Sequence, residues 1–152
     1  MKKSKLIRFI PLILAVIAIF ALTVQNRTDT TALSHAFKDF LVSICDRAGI
    51  DVSDRWWNDN NSVRVLGHVI EYFILGLTAG IAFEKKWKGL LLCIAVSLLD
   101  QITKIFVPIR HFDIRDIPFD IIGYGSALLI VTVISIAVKA IRSDETPRGS
   151  ET

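Results

Sequence analysis

The sequence predicts an all-α membrane protein with four transmembrane helices and both termini cytoplasmic. It also predicts an amphipathic helix in the first extracytoplasmic loop. Three observations lead there. Four apolar runs approach the ~20 residues a helix needs to cross a bilayer. Basic clusters lie beside these runs on alternate connections, as orientation signals do. And 52% of the 152 residues are hydrophobic, above the usual level for a soluble domain, while the net charge is only +3.

The first run covers about 6–24, "LIRFIPLILAVIAIFALTV", and follows "KKSK". It reads as a retained anchor rather than a signal peptide, because it is long and no clear small-x-small site follows. The other runs are about 65–83, 89–107 and 117–138. Lys2, Lys3, Lys5 and Arg8 precede the first span. Lys85, Lys86 and Lys88 fill the link "EKKWK", and Lys139, Arg142 and Arg148 follow the fourth. With four spans these clusters share one side, which the positive-inside rule makes cytoplasmic. The segments 25–64 and 108–116 then face out. Residues 1–141 form one transmembrane domain, and the polar tail 142–152 is expected to be disordered.

The first loop has a pattern of its own. Leu33, Phe37, Phe40, Leu41, Ile44 and Ala48 recur at three- and four-residue spacing, with Thr31 placed to cap the start and Gly49 to stop the helix. Such a helix lies on the outer membrane surface or packs over the mouth of the bundle, and the sequence leaves both open. Trp56 and Trp57 suit an interfacial aromatic belt. Cys45 and Cys93 have neither CxxC spacing nor a histidine partner, so no disulfide, metal or redox centre is expected. Nothing asks for a cofactor. No basic patch interleaved with aromatics points to nucleic acid.

The chemistry lies in polar residues inside the spans. In helix three, Asp100 falls roughly 10 Å below the outer end at 1.5 Å per residue. A carboxylate at membrane depth costs on the order of 2.5–3.5 kcal/mol, so it should face the bundle interior with a partner. Lys104, four residues on, is the obvious one. Gln101 and Thr103 extend the polar surface. Helix two offers "LGHVIEYFILG", with His68 sharing a side with Glu71 and with Tyr72. Helix four opens "RDIPFDIIGYGSA". Asp116 suits an N-cap first and a binding site second, with Pro118 in the first turn and Asp120 one turn deeper. Gly123 and Ala127 continue that face with small side chains, which lets another helix approach closely. Three helices thus bring ionisable groups to one depth.

Three functional readings follow. In the first, the chain binds an anionic envelope component at the outer leaflet through Asp100, Lys104, Arg110, His111, Arg115 and Asp116. The arginines suit phosphate or carboxylate. In the second it is a membrane enzyme, with His68 as acid or base oriented by Glu71 and Asp100 or Asp120 as a second carboxylate. No GxSxG, HExxH or other nucleophile–base motif is present, so binding is preferred to catalysis. In the third, His68, Asp100 and Lys104 form an ion path, for which four helices are few. Against all three stands the reading that the polar groups only hold helices together.

At these residues the chain resembles the VanZ-like family of small bacterial membrane proteins, named for an accessory teicoplanin-resistance protein. The family pattern has an early helix with "HxxxY", here His68 and Tyr72 in "GHVIEYFILGL". A later block reads approximately Asp-Glu-x-x-Gln-x-Phe-x-Pro-Gly-Arg, then Asp, then Asp or Asn before Gly. Here "DQITKIFVPIRHFDIRDIPFDIIG" supplies Asp100, Phe106, Pro108, Arg110, Asp116, Asp120 and Gly123. The chain departs from the pattern at Gln101 (often Glu), Lys104 (often Gln) and Ile109 (usually Gly). The resemblance implies a multi-pass protein of the bacterial plasma membrane with a role in the cell envelope and in glycopeptide susceptibility.

Overall fold

A computed structural model of the chain describes residues 6–24, 27–49, 60–107 and 112–144. They form five helices, and no strand is present among the described residues. In chain order these are α1 (Ile10–Val24), α2 (Arg27–Arg47), α3 (Asn60–Ala82), α4 (Lys86–Phe106) and α5 (Asp116–Asp144). Three of them, α3, α4 and α5, are long and apolar enough to cross a membrane. The fourth expected span, α1, has 15 helical residues.

Pro11 explains the shortening of α1. Proline has no N–H and clashes with the carbonyl four residues back, so it is tolerated only in a helix's first turn. The helix therefore begins at Ile10. Just before it Leu6 and Ile7 are helical, and Arg8 and Phe9 form a turn in which the Phe9 N–H donates to the Leu6 carbonyl at 3.0 Å. The other expected boundaries also move. α3 starts five residues before the expected position 65, and α4 starts at Lys86 rather than 89. The link "EKKWK" thus contracts to Phe83, Glu84 and Lys85. α5 runs six residues past the expected 138, so the first three residues of the expected tail are helical. Residues 145–152 lie outside the described residues.

α2 confirms a helix in the first loop and corrects its start. It begins at Arg27, so Thr31 lies inside it rather than at its cap. Gly49 ends it, as expected, with φ +69°, a left-handed conformation that glycine adopts without strain. Trp56 and Trp57 lie outside the described residues.

The bundle is organised around α3. It packs most extensively on α5 and also contacts α1 and α4. The α3–α5 seam rests on two glycines. A Cβ at Gly123 would fall 2.5 Å from the Val69 carbonyl oxygen, and one at Gly76 would fall 2.6 Å from the Tyr124 Cα. Ala127 is fully buried in the same seam. The close approach expected from Gly123 and Ala127 is therefore present, and Gly76 on the partner helix matches it. Leu12, Ala15 and Ile19 of α1 join Tyr72, Leu75, Ala79, Cys93 and Val96 in the apolar core. Cys93 is buried there and Cys45 is half-buried, both as free thiols. Leucines and isoleucines elsewhere on α1, α4 and α5 point outward.

Candidate functional site

The polar residues gather at one end of the bundle, where α1 and α4 finish and α3 and α5 begin. Each helix delivers them by the one-turn repeat. α3 brings Arg64 and His68, α5 brings Asp116 and Asp120, and α4 brings Ser97, Asp100, Gln101 and Lys104. α1 brings Thr23. Asp100, Gln101, Lys104, Asp116, Asp120, Ser97 and Thr23 are all buried.

Asp116 is the hub. Arg64 Nη2 donates to its Oδ1 at 2.7 Å and to its Oδ2 at 2.8 Å. Lys104 Nζ donates to Oδ2 at 3.1 Å, and His68 Nε2 lies 3.3 Å from the same oxygen. The expected role as a cap gives way to this one: the carboxylate is taken up by three side chains from two other helices. Asp113 caps the helix entry instead, accepting the Arg115 N–H at 3.0 Å while its own carbonyl accepts the Asp116 N–H.

Two further carboxylates lie deeper. Asp100 meets Lys104 at 3.0 Å, the pair that the four-residue spacing predicts. Its other oxygen meets the Thr23 hydroxyl, which also lies 2.9 Å from the Ile19 carbonyl. Asp120 meets His68 Nδ1 at 3.0 Å and accepts from Ser97 Oγ at 2.7 Å. Both ring nitrogens of His68 therefore face carboxylates. A neutral imidazole donates from one nitrogen only, so the doubly protonated ring satisfies both contacts. One turn below, Tyr72 is fully buried and stacks nearly parallel to His68, at 6.3 Å and 12°. That stack is the structural content of the HxxxY spacing.

Each carboxylate oxygen of Asp100, Asp116 and Asp120 has a partner, as buried polar groups require. The rim differs. The Arg64 side chain is 46% exposed and Asp113 is 33% exposed. All hydrogen bonds from Arg64 to Asp113 and Asp116 run through Nη2. Nη1 and Nε have no carboxylate partner among the described residues. Gln101 is fully buried; its Oε1 accepts from the Asp113 N–H at 3.4 Å and its Nε2 has no partner among the described residues.

Other expected residues fall elsewhere. Glu71 does not clamp His68: the imidazole is taken by Asp116 and Asp120, and half-buried Glu71 makes no hydrogen bond among the described residues. Thr103 turns its hydroxyl back onto the Leu99 carbonyl at 2.7 Å, away from the network. Arg115 is exposed. Arg110 and His111 lie outside the described residues. Among the described residues, no group of three or more His, Cys, Asp or Glu side chains is arranged to hold a metal ion.

Arg64, Ser97 and Thr23 escaped the sequence reading. Arg64 and Ser97 carried a signal: Arg64 precedes His68 by four residues, and Ser97 precedes Gln101 by four and Asp100 by three. Thr23 carried none, because a single threonine near the end of an apolar helix is unremarkable in sequence.

A family model described as VanZ/LLP1 matches residues 8–135. The chain belongs to the VanZ/LLP1 family. No curated protein and no solved structure matches it. The match covers every residue of the polar cluster, from Thr23 to Asp120. Two of the three departures from the VanZ-like pattern, Gln101 and Lys104, fall in this cluster. Gln101 stands in place of a carboxylate and reaches the Asp113 backbone. Lys104 stands in place of an amide and sits between Asp100 and Asp116. Together they make this cluster less negative than the pattern alone would.

Proposed function

We propose that the chain is a four-span protein of the bacterial plasma membrane that binds an anionic envelope component at the outer leaflet. In this reading α1, α3, α4 and α5 cross the membrane, residues 1–141 act as one domain and both termini are cytoplasmic. The polar cluster then faces out, because the basic hairpin Lys85–Lys86–Lys88 lies at the opposite end. α1 fits as a tilted or locally thinned span, since 15 residues cover about 22 Å at 1.5 Å each. α2 fits the outer membrane surface: it barely touches the bundle, and Phe40 and Ile44 on it are exposed.

One observation carries the binding reading. Arg64 is fixed by two carboxylates through a single nitrogen while nearly half of its side chain meets solvent. A guanidinium held this way keeps further N–H groups for a phosphate or carboxylate, with little left to pay in side-chain entropy. Asp116, Lys104, His68, Asp100 and Asp120 serve as the frame. Arg115, and in sequence Arg110 and His111 between α4 and α5, are further candidate ligand-binding residues in this reading. Candidate ligands are lipid-linked cell-wall precursors, whose shielding would lower teicoplanin susceptibility.

The test is teicoplanin susceptibility of a Gram-positive host carrying no copy, the wild type, Arg64→Gln or Asp100→Asn at matched membrane levels. Protection by the wild type and its loss in Arg64→Gln is the expected result. Equal protection by both variants would return the cluster to a purely structural role.

A second reading, a membrane enzyme acting on a lipid-linked substrate, rests on His68 held between Asp116 and Asp120. Turnover of such a lipid by the purified protein, abolished in His68→Gln, would favour it over binding alone.

A further inference from the structure

At the end of the bundle opposite the polar cluster, a cavity of about 290 Å3 opens between the start of α1 and the α3–α4 hairpin. Phe9 and Phe83 form its apolar floor, their rings edge-to-face at 5.4 Å. Arg8, Lys85, Lys88 and Glu84 line the rest. The neighbouring Lys86 is committed elsewhere: its Nζ donates to the Gly80 carbonyl at 2.6 Å, closing the end of α3. Arg8, Lys85 and Lys88 are exposed, and none has a carboxylate within ion-pair distance among the described residues. The cavity therefore gathers three cations against one carboxylate over an aromatic base.

Its depth is marked independently. Trp87, 57% exposed beside Lys88, is the kind of residue that settles at the membrane–water boundary. Leu6 and Ile7, which precede Arg8 in the chain, also expose apolar side chains. A cavity with an apolar floor and a cationic rim at that level matches a lipid headgroup with the first part of its chains. Basic pockets between transmembrane helices bind anionic headgroups in this way.

We propose that this cavity is a binding site for the phosphate of an anionic phospholipid, held by Arg8, Lys85 and Lys88 with the glycerol end of the chains against Phe9 and Phe83. The assignment does not depend on what the opposite end of the bundle binds.

The test uses the full-length protein reconstituted in nanodiscs of phosphatidylcholine doped with phosphatidylglycerol, with bound lipid counted by native mass spectrometry. Lys85→Gln combined with Lys88→Gln should reduce retained phosphatidylglycerol by on the order of tenfold or more. Lys139→Gln combined with Arg142→Gln, which removes the same charge from the exposed end of α5, should leave it unchanged. Inorganic phosphate at millimolar concentration should not displace the lipid. Equal loss in both double variants would reduce the effect to diffuse charge attraction and overturn the site. So would full retention in the first. Displacement by inorganic phosphate would overturn the lipid assignment in favour of a soluble phosphate ligand.

Discussion

The two ends of the bundle use the same kinds of side chain in opposite ways. At one end, Arg64, Lys104 and His68 are matched to Asp113, Asp116, Asp100 and Asp120 within a buried network. At the other, Arg8, Lys85 and Lys88 stay exposed with no carboxylate in ion-pair distance among the described residues, although Glu84 lines the same cavity. The difference follows from depth. A charge drawn into the bundle must be paired with good geometry, and removing one partner of such a pair is costly. A charge at the surface is solvated, so a partner there adds little. The two proposals follow the same division: one end offers a rigid frame with one open rim residue, and the other offers net positive charge.

The largest effect expected from this contrast is at the hub. Asp116→Ala strips the shared counter-charge from Arg64, His68 and Lys104, and should cost about 3–5 kcal/mol. Denaturant or thermal unfolding of the detergent-solubilised protein would measure it, and a near-neutral result would show that the network is not what holds this end together. Next comes the seam. Gly123→Leu drives a side chain into the Val69 carbonyl and should cost about 1–3 kcal/mol or more by overpacking, whereas Gly125→Ala meets open space. Similar stability of these two variants would mean that the helices do not approach as closely as described.

A smaller effect is expected at Asp100. Asp100→Asn preserves the shape and the Thr23 contact, and Lys104 keeps Asp116. The loss should be about 1–3 kcal/mol, that of a charge-assisted hydrogen bond. A loss as large as that of Asp116→Ala would move the centre of the network to α4. The smallest is at the rim. Arg64→Gln should change stability by about 1 kcal/mol or less, because nearly half of the side chain is already in water. Its effect should appear in binding instead.

Much of this was legible in the sequence, for identifiable reasons. Apolar length marked α3, α4 and α5, because a helix needs about 20 apolar residues to cross a bilayer. The four-residue spacing of Asp100 and Lys104 fixed their pairing within one helix. Asp116, Asp120, Gly123 and Ala127 read correctly as one face. What failed were contacts between helices, which no local spacing encodes. His68 looked paired with Glu71 because both lie on α3, yet its partners come from α5. Asp116 looked like a cap because it opens a helix; only the approach of α3 and α4 makes it a hub. Pro11 stands in the first apolar run, and it shortens α1 because it is tolerated only in the first turn of a helix.

In the proposed binding site Arg64 meets the ligand while the deeper network only frames it. The most direct measurement is binding of a polyprenyl-diphosphate-linked precursor to the protein in nanodiscs, comparing wild type with Arg64→Gln across a salt series. The account predicts wild-type binding that weakens with salt and falls on the order of 10- to 100-fold in the variant, as for loss of a charge-assisted contact, with the melting temperature nearly unchanged. Binding of equal strength in both proteins, or binding lost only when the fold is lost, would contradict it.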